Sequence, residues 1–233
     1  MKRILVVDVG GTNLKLGLSG RKEVAKVPSG PMMTAAGMVA AVRAATLGWA
    51  YDVVAIGYPG PVMDGRPVAE PKNLARGWVR LDYRKAFGKP VRMINDAAMQ
   101  ALGAYHGGRM LFLGLGTGLG SALVVGGVVA PLELAHLPYR CGHSFEDYLG
   151  RRGIERLGRK RWRKHVAKVV EILRAAMQAT SVSLGGGEAQ RLKEIPVGVT
   201  VGTNADAITG GCRLWADAAG PVPRRRRARR RTA

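Results

Sequence analysis

Apolar residues in this chain fall into two kinds of segment. Some are short continuous runs closed by glycine, proline or a charge, which read as buried strands; others space their apolar positions three or four apart, which reads as amphipathic helix. "RILVVDV", "LKLGLS" and "EVAKVPS" form an opening meander of strands, followed by an alanine-rich helix over Met33 to Leu47 and the strand "DVVAIGYPG". After a connection rich in glycine, proline and charge, "KPVRMIND" gives another strand and "AAMQALGAYHGG" the helix behind it, closed by paired glycines. "RMLFLGLGTGLGSALVVGGVVA" then repeats the opening order of strand, Gly-Thr turn, strand and further turn. The later chain adds the amphipathic helix "HVAKVVEILRAAMQ", the strand "SVSLGGG" entering three glycines, and a short strand and last helix in "VGVTVGTNADAITGGCRLW".

Strands alternating with helices predict an α/β protein. "VVDVGGTNLKLGLS" and "FLGLGTGLGSALVV" stand roughly a hundred residues apart and share one pattern, which predicts two like domains offering their hairpins to one ligand across a cleft. The expected division is an N-terminal α/β domain over 1–108, a second over 109–204, a final helix over 205–219 crossing back to the first, and a disordered Arg-rich tail over 220–233.

The first turn, "DVGGTNLK", suits a polyanion. Gly10 and Gly11 leave backbone amides uncovered, Thr12 and Asn13 add side-chain donors, Lys15 adds a positive charge, and Asp8 offers a hard oxygen to a magnesium ion, usually through water. A plain glycine hairpin reads the same in isolation; the recurrence of the unit favours the phosphate reading.

Composition narrows the class. With 233 residues, 47% of them hydrophobic, the chain can build a core without disulfides, and its cysteines, Cys141 and Cys212, are far apart, which favours a reducing compartment. The N-terminal apolar run is too short for a signal peptide, and no stretch reaches the roughly 20 apolar residues of a membrane helix. A soluble cytoplasmic protein without membrane partners is expected. The net charge is +21; seven arginines lie in 224–231, leaving about +14 on the rest. "RRGIERLGRKRWRKHVAK", residues 151–168, concentrates more positive charge on a segment with helical spacing of Ile154, Leu157, Trp162 and Val166. A solvated helix face and a disordered appendage would account for both runs, but so large a charge also fits a polyanionic partner: nucleic acid, anionic membrane or polyphosphate.

"INDAAMQA" sets Asn95 and Asp96 at a strand end and the first turn of a helix, at the carboxyl edge of a sheet. A cap needs one of them, and the other is a candidate general base. "PLELAHLPYRCGHSFEDYLG" offers Glu133, His136, Cys141, His143 and Glu146. With one cysteine and no Cys-x-x-Cys there is no closed zinc set; Glu133 and His136 on one local turn suit a polyhydroxylated ligand, with a solvated loop as the alternative.

In order and spacing, "DVGGTNLK", "YPGPVMDG", "INDA", "LGTGLGSA", "ELAH", "FEDYLG", "LGGG" and "NADAITGG" resemble the ROK (repressor, open reading frame, kinase) family of sugar kinases, and within it the polyphosphate glucokinase branch, from about residue 4 to 216. The resemblance implies a two-domain actin-like, hexokinase-like (ribonuclease H-like) α/β fold with a central cleft, and phosphoryl transfer to the 6-hydroxyl of glucose. It implies Asp96 as general base, with Asn73, Asn95, Asp96, Glu133, His136 and Glu146 on the sugar. It further implies Asp8 on magnesium, and the donor phosphates held by Gly10, Gly11, Thr12 and Lys15 on one side and Gly116, Thr117 and Gly118 on the other. Gly185, Gly186 and Gly187 match the place where nucleotide-using members cover adenosine.

Two departures stand out. Ala135 occupies a position often held by glycine, which would put a methyl group beside the sugar. The loop where many members hold zinc is shortened to "RCGHSFE", so no structural zinc is expected and His136 is left for the sugar. Repressor members carry a DNA-reading domain ahead of the kinase fold, whereas this chain starts at the first strand, so a kinase is expected. Polyphosphate fits the basic segment as donor, because a long polyanion needs charge along a path beyond the cleft. A strictly ATP-dependent hexose kinase is the alternative. A second rival is a non-catalytic nucleic-acid-binding member of the fold, with the tail binding weakly by charge; the basic runs lack the interleaved aromatics on which single-strand binders stack bases. A third is a non-catalytic sugar sensor. Hexose range and oligomeric state, a homodimer included, stay open.

Overall fold

Six residues with Asp8 as their one polar side chain make β1 (Ile4–Val9) a strand buried on both faces, as expected inside a sheet covered on each side. In the computed structural model, which describes residues 2–216 apart from Lys193 and Asn204, β1 pairs antiparallel with β2 (Asn13–Leu18), and β2 with β3 (Val24–Pro28). The helix α1 (Ala35–Ala45) crosses to β4 (Val53–Tyr58), parallel to β1. It is shorter than the expected 33–47, because the Thr34 hydroxyl caps it by accepting the Gly37 N–H, and the Thr46 hydroxyl bonds back to the Val42 carbonyl. A small hairpin, β5 (Val62–Met63) and β6 (Arg66–Pro67), and a short helix α2 (Tyr83–Phe87) fill the connection to β7 (Val91–Asn95), which lies parallel on β4. The first sheet runs β3-β2-β1-β4-β7.

Helix α3 (Asp96–Ala104) leads into β8 (Arg109–Leu115), β9 (Leu119–Val125) and β10 (Val128–Leu132), a second antiparallel meander. A two-stranded ribbon, β11 (Pro138–Arg140) and β12 (His143–Ser144), then precedes α4 (Phe145–Leu149) and α5 (Arg151–Ala176). Strands β13 (Ser181–Gly185) and β14 (Val199–Val201) add parallel to β8, and the sheet runs β10-β9-β8-β13-β14. The two sheets thus have the same order of strand directions, and the duplication read in the turns extends to the whole topology. Helix α6 (Ala205–Arg213) closes the described chain.

Alternation along β1 explains the layering. Leu5, Val7 and Val9 enter an outer core with Met38, Val42, Trp78 and Phe87, while Ile4 and Val6 face inward with Ala55, Met99 and Ala207. On the second sheet Leu111 and Leu113 meet Leu149, Trp162, Val166 and Val170 on the outside, and Phe112, Ala122 and Val124 meet Ala98 and Ala101 of α3 within. The pair α3 and α6 therefore lies between the sheets. The helices touch backbone to backbone at Gly103 and Gly210: a Cβ on Gly103 would strike the Asp206 carbonyl, and one on Gly210 the Met99 carbonyl. Arg213 Nη1 caps α3, donating to the carbonyls of Leu102, Gly103 and Tyr105 at 2.7, 3.0 and 2.8 Å, and the Trp215 indole donates to the Val54 carbonyl on the first sheet.

Two further helix limits differ from the sequence reading. Helix α3 stops at Ala104, before Gly107 and Gly108, because Tyr105 turns extended. The basic segment and the amphipathic helix after it are one helix, α5, broken at Gly158, whose φ of 72° and ψ of 155° are not helical. Trp162, Val166, Val169, Val170 and Leu173 are its buried stripe, and its cations are exposed apart from the half-buried Arg163 and Arg174. The Arg-rich tail lies outside the described residues, and no helix among the described residues is long and apolar enough to cross a membrane.

Candidate active site

The carboxyl ends of β1, β4 and β7 carry the first half of the site. Asp8 is 5% exposed on β1, and Lys15, its register partner on β2, brings its Nζ to 3.5 Å from Asp8 Oδ2. Burial raises the Asp8 pKa, and the Lys15 charge pulls against it without cancelling it. The turn between the two strands is fastened from both sides. Gly10 N–H donates to the Asn13 carbonyl at 3.1 Å, while Ser29 donates its hydroxyl to the Gly10 carbonyl at 2.7 Å and its N–H to the Thr12 carbonyl at 2.9 Å. Ser29 went unnoticed in the sequence, where "PSG" looks like an ordinary turn. Gly11 faces Asn73, whose Cβ would lie 3.3 Å from a Cβ on the glycine, so the exposed Asn73 stands beside this turn.

At the head of α3, Asn95 and Asp96 divide the work. Asn95 Oδ1 caps the helix by accepting the Ala98 N–H at 3.1 Å, and its Nδ2 donates to the Gly60 carbonyl at 3.2 Å. Asp96 accepts the adjacent Ala97 N–H at 2.8 Å. Its pKa is raised to about 7, first by burial, second by the negative charge of Asp8, with a smaller push from Glu133 and an opposing pull from the Ala97 N–H. A half-buried carboxyl titrating near neutrality is suited to accepting a proton from a hydroxyl.

The second sheet supplies two further turns. Gly116 N–H donates to the Gly118 carbonyl at 3.2 Å, closing the β8–β9 turn, and Thr117 accepts the Arg151 N–H at 3.2 Å. Glu146 Oε2 accepts the Leu119 N–H at 3.0 Å, and a Cβ on Gly118 would run into that carboxylate. Helix α4 presents Glu146 there because Ser144 and Asp147 form a capping box; the Ser144 N–H and hydroxyl donate to Asp147, lowering its pKa. Gly185 ends β13 opposite Gly114, and the following turn is tied to β8 by the Glu188 N–H donating to the Leu115 carbonyl. Gly186 has φ of 84° and no room for a Cβ against Leu115, while Gly187 borders open space. Glu188, also missed in the sequence, accepts from Arg159 at 2.9 Å and Arg191 at 3.1 Å.

Glu133 and His136 flank a short turn after β10, with His136 Nε2 3.8 Å from Glu133 Oε2 and both side chains exposed. Ala135 between them is 2% exposed and belongs to the second core. Its methyl group therefore packs inward. His143 Nδ1 lies 3.9 Å from Asp147, and Cys141 is exposed. The structure thus joins Asp8, Lys15, Asp96 and the first turn at one sheet's edge, and the Gly116–Gly118 turn, Glu146 and the Gly185–Gly187 turn at the other's. Gly120 of β9 abuts Ala97 of α3, with a Cβ there 2.8 Å from the Ala97 Cβ, which connects the two halves.

No family model matches the chain. In sequence it is similar to a curated glucokinase of Pyrobaculum calidifontis, 29% identical over 170 residues, covering 64% of this chain and 53% of that protein. The chain thus spans about half the length of this relative. In structure it resembles the inorganic polyphosphate/ATP-glucomannokinase of Arthrobacter sp. strain KM, at a TM-score of 0.77 and 23% identity over 91% of this chain and 97% of that one. It also resembles a ROK family glucokinase of Streptomyces griseus crystallised with glucose and AMPPNP, at a TM-score of 0.70 and 20% identity over 91% and 98%. The two-domain, actin-like α/β architecture expected from the motifs is the one found, and the fold is shared with these two kinases.

Proposed function

We propose that the chain is a ROK-family glucokinase that transfers a phosphoryl group to the 6-hydroxyl of glucose, with Asp96 as general base. The observation that carries this reading is the position of Asp96: a half-buried carboxyl held near neutrality beside Asp8, between glycine turns from two topologically matching sheets. The likeness to a curated glucokinase supports it.

Phosphoryl transfer asks for alignment and charge neutralisation more than for covalent chemistry. In this reading the amides of Gly10, Gly11 and Thr12, with Lys15, face the donor from one side, and those of Gly116, Thr117 and Gly118 from the other. Asn73, Asn95, Glu133, His136 and Glu146 take the sugar hydroxyls, and the turn of Gly185, Gly186 and Gly187 faces the far part of the donor, with Gly187 bordering open space. Asp96 removes the hydroxyl proton as the oxygen bonds to the terminal phosphorus, and the remainder of the donor departs with the electron pair of the broken P–O bond. A magnesium ion bound with phosphate needs one or two carboxylates and takes its other ligands from water and phosphate. Asp8 fits that demand, and among the described residues no group of three or more His, Cys, Asp or Glu forms a self-sufficient metal site. Asp8 would hold the ion, which supplies charge neutralisation when bound.

Inorganic polyphosphate is the donor we favour, with ATP as the alternative. Helix α5 begins at the second phosphate turn, where Arg151 N–H meets Thr117, and carries exposed cations at Arg152, Arg156, Arg159, Lys160, Arg161, Lys164 and Lys168 from there. The test is glucose 6-phosphate formation with magnesium, comparing long-chain polyphosphate and ATP at equal phosphate concentration and two salt levels. Faster turnover with polyphosphate, weakening with salt, is expected; silence with both donors would overturn the kinase reading.

A further inference from the structure

A cavity of about 710 Å³ lies along the free edge of the first sheet, at the amino end of β7. Arg92, which lines it, is four residues before Asp96, or about 13 Å along an extended strand, so this cavity is separate from the catalytic cleft. Four arginines converge on it: Arg66, Arg80, Arg84 and Arg92. Two carboxylates also line it, Asp64 and Asp82, but Asp82 is engaged in capping α2, accepting the Lys85 N–H at 3.1 Å.

Each arginine stands on a pinned backbone. Arg66 closes the β5–β6 hairpin, whose central residues Asp64 and Gly65 both have positive φ, as a tight two-residue turn requires. Arg80 follows a loop held by Glu70, whose carboxylate accepts the N–H groups of Trp78 and Val79. Arg84 is on α2. Arg92 stacks its guanidinium 4.4 Å from the centre of the Trp215 ring and donates to the Leu214 carbonyl. Among the described residues no carboxylate pairs with Arg66, Arg80 or Arg84. Four guanidinium groups against two carboxylates leave the concavity net positive, an arrangement that a polyanion complements.

We propose that this cleft is a second, non-catalytic anion site that takes a linear chain of phosphates. Guanidinium forks match phosphate oxygens in pairs, and several arginines distributed around one cavity match a chain of phosphates better than a single one. Nucleic acid fits less well, because the cleft offers no free aromatic face for a base: Tyr83 is buried with its hydroxyl on the Trp78 carbonyl, and the Trp215 ring nearby is covered by Arg92.

The test is amide hydrogen exchange on the full chain with sodium tripolyphosphate at low salt, alongside ATP, hexaglutamate and a single-stranded oligonucleotide. Tripolyphosphate should slow exchange over residues 62–68 and 79–87. The triple variant R66A/R80A/R84A should lose that protection, with at least a tenfold weaker midpoint, while keeping its melting temperature within a few degrees and its turnover. Protection by ATP as well would assign recognition to the triphosphate wherever it occurs; protection by tripolyphosphate alone would assign it to the inorganic chain. Either result supports the site. No protection of these segments, protection that survives in the variant, or equal protection by hexaglutamate or the oligonucleotide would overturn the proposal. Because the readout is local exchange, it is distinct from the turnover that tests the kinase reading.

Discussion

Glu146 Oε2 accepts the backbone N–H of Leu119 at 3.0 Å, so a side chain expected on the sugar also holds the turn expected on the donor phosphates. Losing this acceptor frees a partly buried amide, typically at a cost of about 1–3 kcal/mol. Glu146→Ala should therefore raise the KM for glucose and for the phosphoryl donor together, each by about 5- to 100-fold. Glu146→Gln, which keeps an oxygen for Leu119, should spare the donor KM. Steady-state kinetics with both substrates varied checks this; a change in the glucose KM alone for Glu146→Ala would mean the turn stands without the tie.

Asp96 is the next target. Removing a positioned general base typically costs about 100- to 10,000-fold in rate, so Asp96→Asn should lower kcat by that much while glucose still binds, as followed by calorimetry. The same variant carries a stability signature. In the folded protein Asp96 keeps its proton up to about pH 7, whereas an unfolded aspartate releases it near pH 4. The folded state therefore holds a proton more tightly, and the resulting stability is complete below about pH 4 and lost as pH rises to about 7. Asparagine cannot ionise, so relative to the parent protein Asp96→Asn should melt higher at pH 8 and show no such gain at pH 4. Equal differences at both pH values would contradict the raised pKa.

The acid limb of the pH–rate profile tests the cause of that shift. With Asp96 as base, kcat/KM should rise through about pH 7 and level off above it. The negative charge of Asp8 is the second contribution to the raised pKa, so Asp8→Asn, whatever it does to the absolute rate, should move the limb to lower pH. An unmoved limb in that variant would show that the two carboxyls do not sense each other.

How far the sequence carried these conclusions depends on whether the physics was local. The strands of both sheets and their Gly-Thr turns were legible because apolar runs ended by glycine state their meaning within a few residues, and their repetition pointed to the matching sheets. Asn95 and Asp96 were legible as a cap with one acid to spare. Ser29, Glu188 and the Glu146–Leu119 bond were not, since each acts on backbone distant in sequence and leaves no local mark. The burial of Ala135 was likewise hidden: its neighbours Glu133 and His136 are polar, but the short turn points its methyl into the second core. The Gly103–Gly210 crossing was equally hidden, because a glycine inside a helix reads as a weak position until the partner helix is in place.

Gly210 turns that hidden contact into a measurement. A Cβ there would overlap the Met99 carbonyl, and the facing Gly103 would meet α6 in the same way. Backbone cannot yield as a flexible side chain does, so Gly210→Ala must separate the two helices and open the layer between the sheets, at a cost of roughly 2–4 kcal/mol by comparison with other overpacked cores. For a chain of this length that corresponds to a drop in melting temperature of about 5–15 °C. Because α6 bears on β1 and α3 carries Asp96, the protein that stays folded should also turn over more slowly than the parent at a temperature well below its melting point. A melt within about 2 °C of the parent would mean that α3 and α6 do not pack as closely as Gly103 and Gly210 allow.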